Sequence, residues 1–277
     1  MQGLDEARTR TVRADGRDAL VRHIPHRVAS TTAAVDPASI RKRPCFLCTE
    51  NLFPEQKGVA LDADYTFYAN PFPIVEGHLT VIHREHRPQR VEGQVDVMLG
   101  LAESLPGSFV VYNGPECGAS APDHMHLQAG SRSGLPIVRD VEGSSGPGAR
   151  IYGANAFLFR GRERSAVEAE TTRAIEELGR VTKRKPEPLC NLVAFFESDA
   201  GWTTVLFPRG KHRPDAFHRG GLTVSPAAID LCGILVTPVE KDFERITGDD
   251  VAAVFREVSL PDEPFREVAR RLEGNRG

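Results

Sequence analysis

His124-Met125-His126-Leu127-Gln128 sets two imidazoles and a carboxamide at alternate positions of a short run. On an extended strand side chains alternate between faces, so His124, His126 and Gln128 share one face about 6 to 7 Å apart. Met125, Leu127 and Ala129 take the opposite, apolar face. A neutral imidazole can act as a nucleophile at neutral pH, and an amide can orient an anion without titrating. The preceding residues, Asn113-Gly114-Pro115-Glu116-Cys117-Gly118-Ala119-Ser120-Ala121-Pro122, are small and turn-rich. Such a loop lets backbone N–H groups converge on an anion. The pattern predicts a histidine nucleophile beside a phosphate cradle.

Positioning these groups requires a sheet. Strand-like runs are expected at 65–68, 78–83, 108–112 and 156–159, with helices at 94–104, 166–181, 249–258 and 263–272. A turn-rich tip is expected at 142–148, and residues 1–44 read as a polar, Arg-rich arm laid over the body, with no helix assigned in it. Thr203-Thr204-Val205-Leu206-Phe207-Pro208-Arg209-Gly210-Lys211-His212-Arg213-Pro214 echoes Leu79-Thr80-Val81-Ile82-His83-Arg84-Glu85-His86-Arg87-Pro88, and each copy precedes a Ser-containing segment. The echo suggests duplication, with a catalytic half (45–150) and a degenerate half (151–277) packed as a pseudo-dimer. Only the first copy carries the paired histidines.

The chain of 277 residues, 40% hydrophobic, is long enough to bury a full core. A formal charge of -3 gives no general attraction to nucleic acid or anionic membrane, so any basic site must be local. There is no apolar signal core and no long apolar run, and a cytoplasmic location is expected. Cys45 and Cys48 are spaced as zinc thiolate pairs are, and a tetrahedral site needs two further ligands; the alternative is a pair of buried thiols without metal. Arg209, Lys211 and Arg213 form a basic turn able to neutralise a phosphate. Cys117, Cys190 and Cys232 read as small buried hydrophobes, and Trp202 as core or interface.

The active-strand pattern resembles the histidine triad superfamily, in its branch of galactose-1-phosphate uridylyltransferases and nucleotide phosphorylases. Arg43-Pro44-Cys45-Phe46-Leu47-Cys48 with Asn51 resembles that branch's zinc entry, and residues 70–86 and 207–214 resemble a bacterial subgroup of it. The resemblance implies an α+β fold, an antiparallel sheet flanked by helices and built of two triad-like halves. It implies that His126 attacks the α-phosphorus of a nucleotide and carries the nucleotidyl group, with Asn113, Ser120, Gln128 and the Gly118-Ala119-Ser120 turn around the phosphoryl oxygens. Zinc ligands would be Cys45, Cys48, His86 and His124, with His83 as the rival of His86; the zinc would be structural. Arg27 matches an arm arginine that meets phosphate, while Asn70 and Phe72 match the nucleoside pocket.

Gln128 bears most on the reaction. Hydrolytic triad proteins have a third histidine there, and a carboxamide cannot protonate a poor leaving group. The expectation is a phosphorylase or nucleotidyltransferase acting on a nucleotide sugar or dinucleoside polyphosphate, with phosphate as acceptor and the protein a monomer or homodimer. The competing readings are a hydrolase of the triad type, metal-dependent hydrolysis at the Cys/His cluster, and a nucleotide-binding sensor.

Overall fold

The structure, a computed structural model, describes residues 4–142 and 146–274. Twelve strands are found among them: β1 (Arg8–Ala14), β2 (Arg17–His23), β3 (Val59–Ala60), β4 (Tyr65–Ala69), β5 (Leu79–His83) and β6 (Ser108–Asn113) in the first part of the chain. They are followed by β7 (His126–Ser131), β8 (Gly146–Ile151), β9 (Ala154–Gly161), β10 (Cys190–Glu197), β11 (Gly201–Pro208) and β12 (Ile234–Thr237). Nine of them form a sheet in the order β3-β4-β5-β7-β6-β10-β11-β9-β8, and β1-β2-β12 form a second, smaller sheet. Every pairing in the large sheet is antiparallel, as the α+β expectation requires.

Each face of the large sheet has its own apolar layer. Met125, Leu127 and Ala129 point to the layer shared with helices Gln94–Ser104, Arg164–Thr182 and Asp262–Gly274. The opposite face packs Phe109, Val111, Val193, Phe195, Val205 and Phe207 against the small sheet and helix Gly248–Val258. His126 and Gln128 lie on this second face, beyond the edge of that apolar layer. The alternation predicted for the histidine run thus separates packing from chemistry, although β7 begins only at His126 and His124 precedes it.

The order of elements repeats, but not where the sequence echo suggests. Residues 65–131 and 146–208 each run strand, strand, helix, strand, strand, and pair as β4-β5-β7-β6 and β8-β9-β11-β10. The echoed segments fall on β5 and β11, which hold different places in this order. They resemble one another because both are apolar strands leaving the sheet into basic turns. The informative difference is elsewhere: β10 and β11 are joined by the tight turn 198–200, whereas the longer segment 114–125 separates β6 from β7.

The N-terminal arm is also more ordered than expected. Residues 8–23 form the β1-β2 hairpin through Asp15-Gly16, both with positive φ (49° and 76°), the geometry that a two-residue hairpin turn demands. β2 then pairs in parallel with β12, stitching the start of the chain to its last third. Of the turn-rich tip expected at 142–148, residues 143–145 lie outside the described residues and Gly146 already belongs to β8.

Arg209, only 2% exposed, binds the end of β11 to the body. Its guanidinium donates to the backbone carbonyls of Val258, Pro226, Lys211 and His212 and to Asn191 Oδ1. Removing the cation strands several buried acceptors, so Arg209→Leu should lower the unfolding free energy in a urea titration by about 3–5 kcal/mol. A loss below about 1 kcal/mol, the range of ordinary surface substitutions, would contradict this role.

Candidate active site

A cavity of about 300 Å³ opens on the second face of the large sheet. His126, Gln128, Asn113, Ser120, Gly118, Ala119, Asn70, Phe72 and Arg27 all line it, so nearly every substrate-contacting residue expected from sequence is gathered in one place. His124 and Lys211 are not among the lining residues. Lys211 instead pairs with Asp215 (2.7 Å) and Glu257 (2.5 Å) on the surface. Of the other two cations in this basic turn, Arg209 is saturated by protein acceptors, whereas Arg213 lines the cavity while donating to Ser225 Oγ, Thr31 O and Ala33 O.

His126 is 3% exposed. Its Nδ1 lies 2.8 Å from the backbone carbonyl of His124, which accepts a proton from that nitrogen and leaves Nε2 with the lone pair. Burial pushes the imidazole down to about 4, with the His124 carbonyl opposing, so the ring is neutral at neutral pH. Nε2 is therefore a nitrogen nucleophile that needs no deprotonation.

Two amides flank the cavity, and their partners set their orientation. Asn113 Oδ1 accepts from Asn191 Nδ2 (2.7 Å) and from Ala228 N–H (2.8 Å), which leaves its NH2 as the group available to the cavity. Gln128 is set by His78: Ile74 N–H donates to His78 Nδ1 (3.1 Å), so His78 carries its proton on Nε2 and gives it to Gln128 Oε1 (3.0 Å). The Gln128 NH2 is again the free end. Two N–H donor groups beside a neutral nucleophile suit a phosphoryl group whose oxygens carry the charge.

The loop 114–125 is held by close approach to the second half. Gly118 has φ +97°, and a side-chain carbon there would lie 2.5 Å from Ala227 Cβ, so only glycine fits. Within the turn, the Ala119 N–H is spent on Gly114 O (3.4 Å) and does not face an anion. Asn70 is likewise committed, with Nδ2 on Thr80 Oγ1 and Oδ1 accepting from Phe72 N–H. It shapes the wall on which Phe72 stands. Arg27 donates to Phe72 O (3.1 Å), while its Nε is buried without a hydrogen-bond partner.

Behind His126, Cys45, Cys48, His86 and His124 bring their ligand atoms within 4.8 Å of one another. Cys45 Sγ is 3.3 Å and Cys48 Sγ 3.6 Å from His124 Nδ1, and Cys48 Sγ is 3.2 Å from His86 Nδ1. Zinc–sulfur bonds of about 2.3 Å and zinc–nitrogen bonds of about 2.0–2.1 Å imply tetrahedral edges of roughly 3.4–3.8 Å, close to these spacings. His124 donates its other nitrogen to His83 O (2.7 Å), which frees Nδ1 as a donor to a metal. Without a cation, burial and then Cys45 push the Cys48 thiol up to about 11. The cluster could hold a metal ion, and of the two candidate histidines it includes His86. His83 packs edge-on against Tyr65 and accepts the Glu85 N–H at Nδ1.

Three contributors have little signal in sequence. Gln89, His78 and Asn191 are buried polar residues whose function is to orient others, and only their burial among polar partners exposes them. His78 yields a pH test. Burial first, then Arg27, push it down to about 4 from an unperturbed 6.5. Between those values the unfolded chain binds a proton at this residue that the folded chain refuses, so this histidine's contribution to stability falls as pH falls. The stability lost on His78→Gln substitution should therefore shrink by about 2–3 kcal/mol from pH 7 to pH 4.5 in urea titrations, at about 1.4 kcal/mol per unit. A penalty constant over that range would contradict the neutral assignment.

Comparison with known proteins bears on family and fold. Residues 1–131 match a family model described as a domain of unknown function (DUF4922), and residues 152–273 match the GDPGP1-like C-terminal domain. Among curated proteins, no sequence matches significantly. The chain shares its fold with yeast Ap4A phosphorylase Apa2, at 16% identity and a TM-score of 0.62 over 94% of this chain and 90% of that one. The same yeast enzyme in complex with Ap4A matches at 17% identity and a TM-score of 0.62, over 92% of this chain and 90% of that one. With AMP bound it matches at 16% identity and a TM-score of 0.63, over 92% and 89%. The chain thus pairs a first half that matches DUF4922 with a second half that matches the GDPGP1-like C-terminal domain, on a fold shared with Ap4A phosphorylase.

Proposed function

We propose that the protein is a nucleotide phosphorylase or nucleotidyltransferase that carries a nucleoside monophosphate on His126. The observation that supports this most is the state of that ring: neutral, with its proton held on Nδ1 by the His124 carbonyl and Nε2 left beside two cavity-facing NH2 groups. The Nε2 lone pair forms a bond to the α-phosphorus as the phosphorus–oxygen bond to the leaving group breaks, and the leaving oxygen takes the electron pair. The Asn113 and Gln128 amides hold the non-bridging oxygens. An acceptor oxygen then attacks the same phosphorus, the phosphorus–nitrogen bond breaks, and the imidazole returns to its neutral state.

Gln128 argues for the acceptor class. It cannot titrate, so the leaving group must depart as a stable anion such as a sugar phosphate or nucleoside polyphosphate, and phosphate fits as acceptor better than water. Arg27, with its buried unpartnered Nε, is suited to one of the phosphates. Phe72 and Asn70 shape the wall proposed for the nucleoside. Residues 45–150 supply the reacting groups, while residues 151–277, through Asn191, Ala227 and Ala228, hold the loop that surrounds them. Cys45, Cys48, His86 and His124 would hold zinc with all four positions filled by protein, so it would stiffen the segment leading into His126.

Two experiments test this reading. Incubation with a panel of nucleotide sugars and dinucleoside polyphosphates should give, by mass spectrometry, a nucleotidyl adduct that is acid-labile and absent in His126→Ala; turnover without any adduct in the wild type would refute the covalent route. Metal analysis of protein purified without added zinc should find one zinc per chain, lost in Cys45→Ser, and a metal-free wild type would end the zinc assignment.

A further inference from the structure

Antiparallel pairing joins β6 to β7 from Ser108↔Ser131 to Val111↔Gln128 and stops there. Continued in the same register, the ladder would set Tyr112 opposite Leu127 and then Asn113 opposite His126. Both strands run on to those residues, β6 held by β10 at Asn113↔Asn191 and β7 held by β5 at Ile82↔His126. They separate from each other only. In the gap lies the side-chain amide of Gln89, which is 0% exposed. Its Oε1 accepts the His126 N–H (2.8 Å), and its Nε2 donates to both His126 O (2.9 Å) and Asn113 O (2.9 Å). The Gln89 backbone N–H adds a bond to Pro122 O (3.1 Å), within the loop that both strands bound.

We infer that Gln89 is the positioning residue of the active site: its amide replaces a peptide unit between the parting strands and sets the spacing between the His126 ring and the Asn113 amide. Across an intact ladder those side chains would be nearest neighbours on one face, roughly 4.5–5.5 Å apart at Cβ, too close to admit a phosphoryl group between them. The wedge widens the pair while satisfying three of the backbone groups that the separation frees, His126 N–H, His126 O and Asn113 O, which an apolar wedge could not do. This role rests on the phosphorylase reading for its purpose but not for its geometry.

Gln89→Leu keeps the approximate volume and removes all three side-chain bonds; Gln89→Glu keeps the shape and an acceptor for the His126 N–H but loses the donor to the two carbonyls. Hydrogen exchange followed at the His126 amide in the folded protein should be fast in the Leu variant and slow in wild type and the Glu variant. In single-turnover assays both variants should form the nucleotidyl adduct about 100-fold more slowly, the scale of a 1 Å misplacement, while binding AMP within about 3-fold of wild type. Unchanged exchange in Gln89→Leu, or AMP binding lost in proportion to adduct rate in both variants, would overturn the spacer role. A wild type that forms no adduct counts against the phosphorylase reading alone, and the exchange comparison still decides whether Gln89 holds the strands apart.

Discussion

Asn113 is the joint on which the site depends. Its backbone pairs across the middle of the large sheet with Asn191, its Oδ1 accepts from Asn191 and from Ala228, and its carbonyl accepts from Gln89. Every one of these bonds is buried, where an unmade hydrogen bond costs about 1–3 kcal/mol. Second-half residues thus set the direction of an amide whose free NH2 serves the first half. Arg209 extends the same network by donating to Asn191 Oδ1, so the buried cation and the cavity amide belong to one chain of bonds.

The chemistry this network allows follows from neutrality. His78 and His126 are both pushed down to about 4, chiefly by burial, His126 on the cavity wall and His78 behind Gln128. A charged imidazole would lose its nucleophilic lone pair, and a charged His78 would lose the acceptor nitrogen that receives the Ile74 N–H. Burial therefore preserves both the reactive nitrogen and the tautomer that orients Gln128. The cations of the cavity wall, Arg27 and Arg213, are thus separate from the uncharged histidines.

The local chemistry was legible because strand periodicity is strict. His126 and Gln128 on one face with Met125, Leu127 and Ala129 on the other follow from a period of two, and the small residues at 113–122 announce a turn. The hairpin at Asp15-Gly16 was written just as plainly, but its short apolar face, Val12, Ala14, Ala19 and Val21, is interleaved with so many polar residues that the segment reads as a polar arm. The apparent repeat of 79–88 at 203–214 misleads for the opposite reason: apolar strands entering basic turns look alike wherever they stand in a sheet, and only pairing order assigns β5 and β11 to different places.

The sequence by itself determined which residues could react, because residue type and alternation are local properties: a histidine nucleophile, a non-titrating neighbour, a glycine-bearing loop and a thiolate pair. Tertiary structure alone decided which nitrogen of His126 is free, which ends of Asn113 and Gln128 face the cavity, that His86 and not His83 joins the cysteines, and that Lys211 stays outside. Those choices depend on hydrogen-bond partners from distant parts of the chain, His78, Gln89, Asn191 and Ala228, and spacing along a sequence carries no record of which buried donor will meet which acceptor.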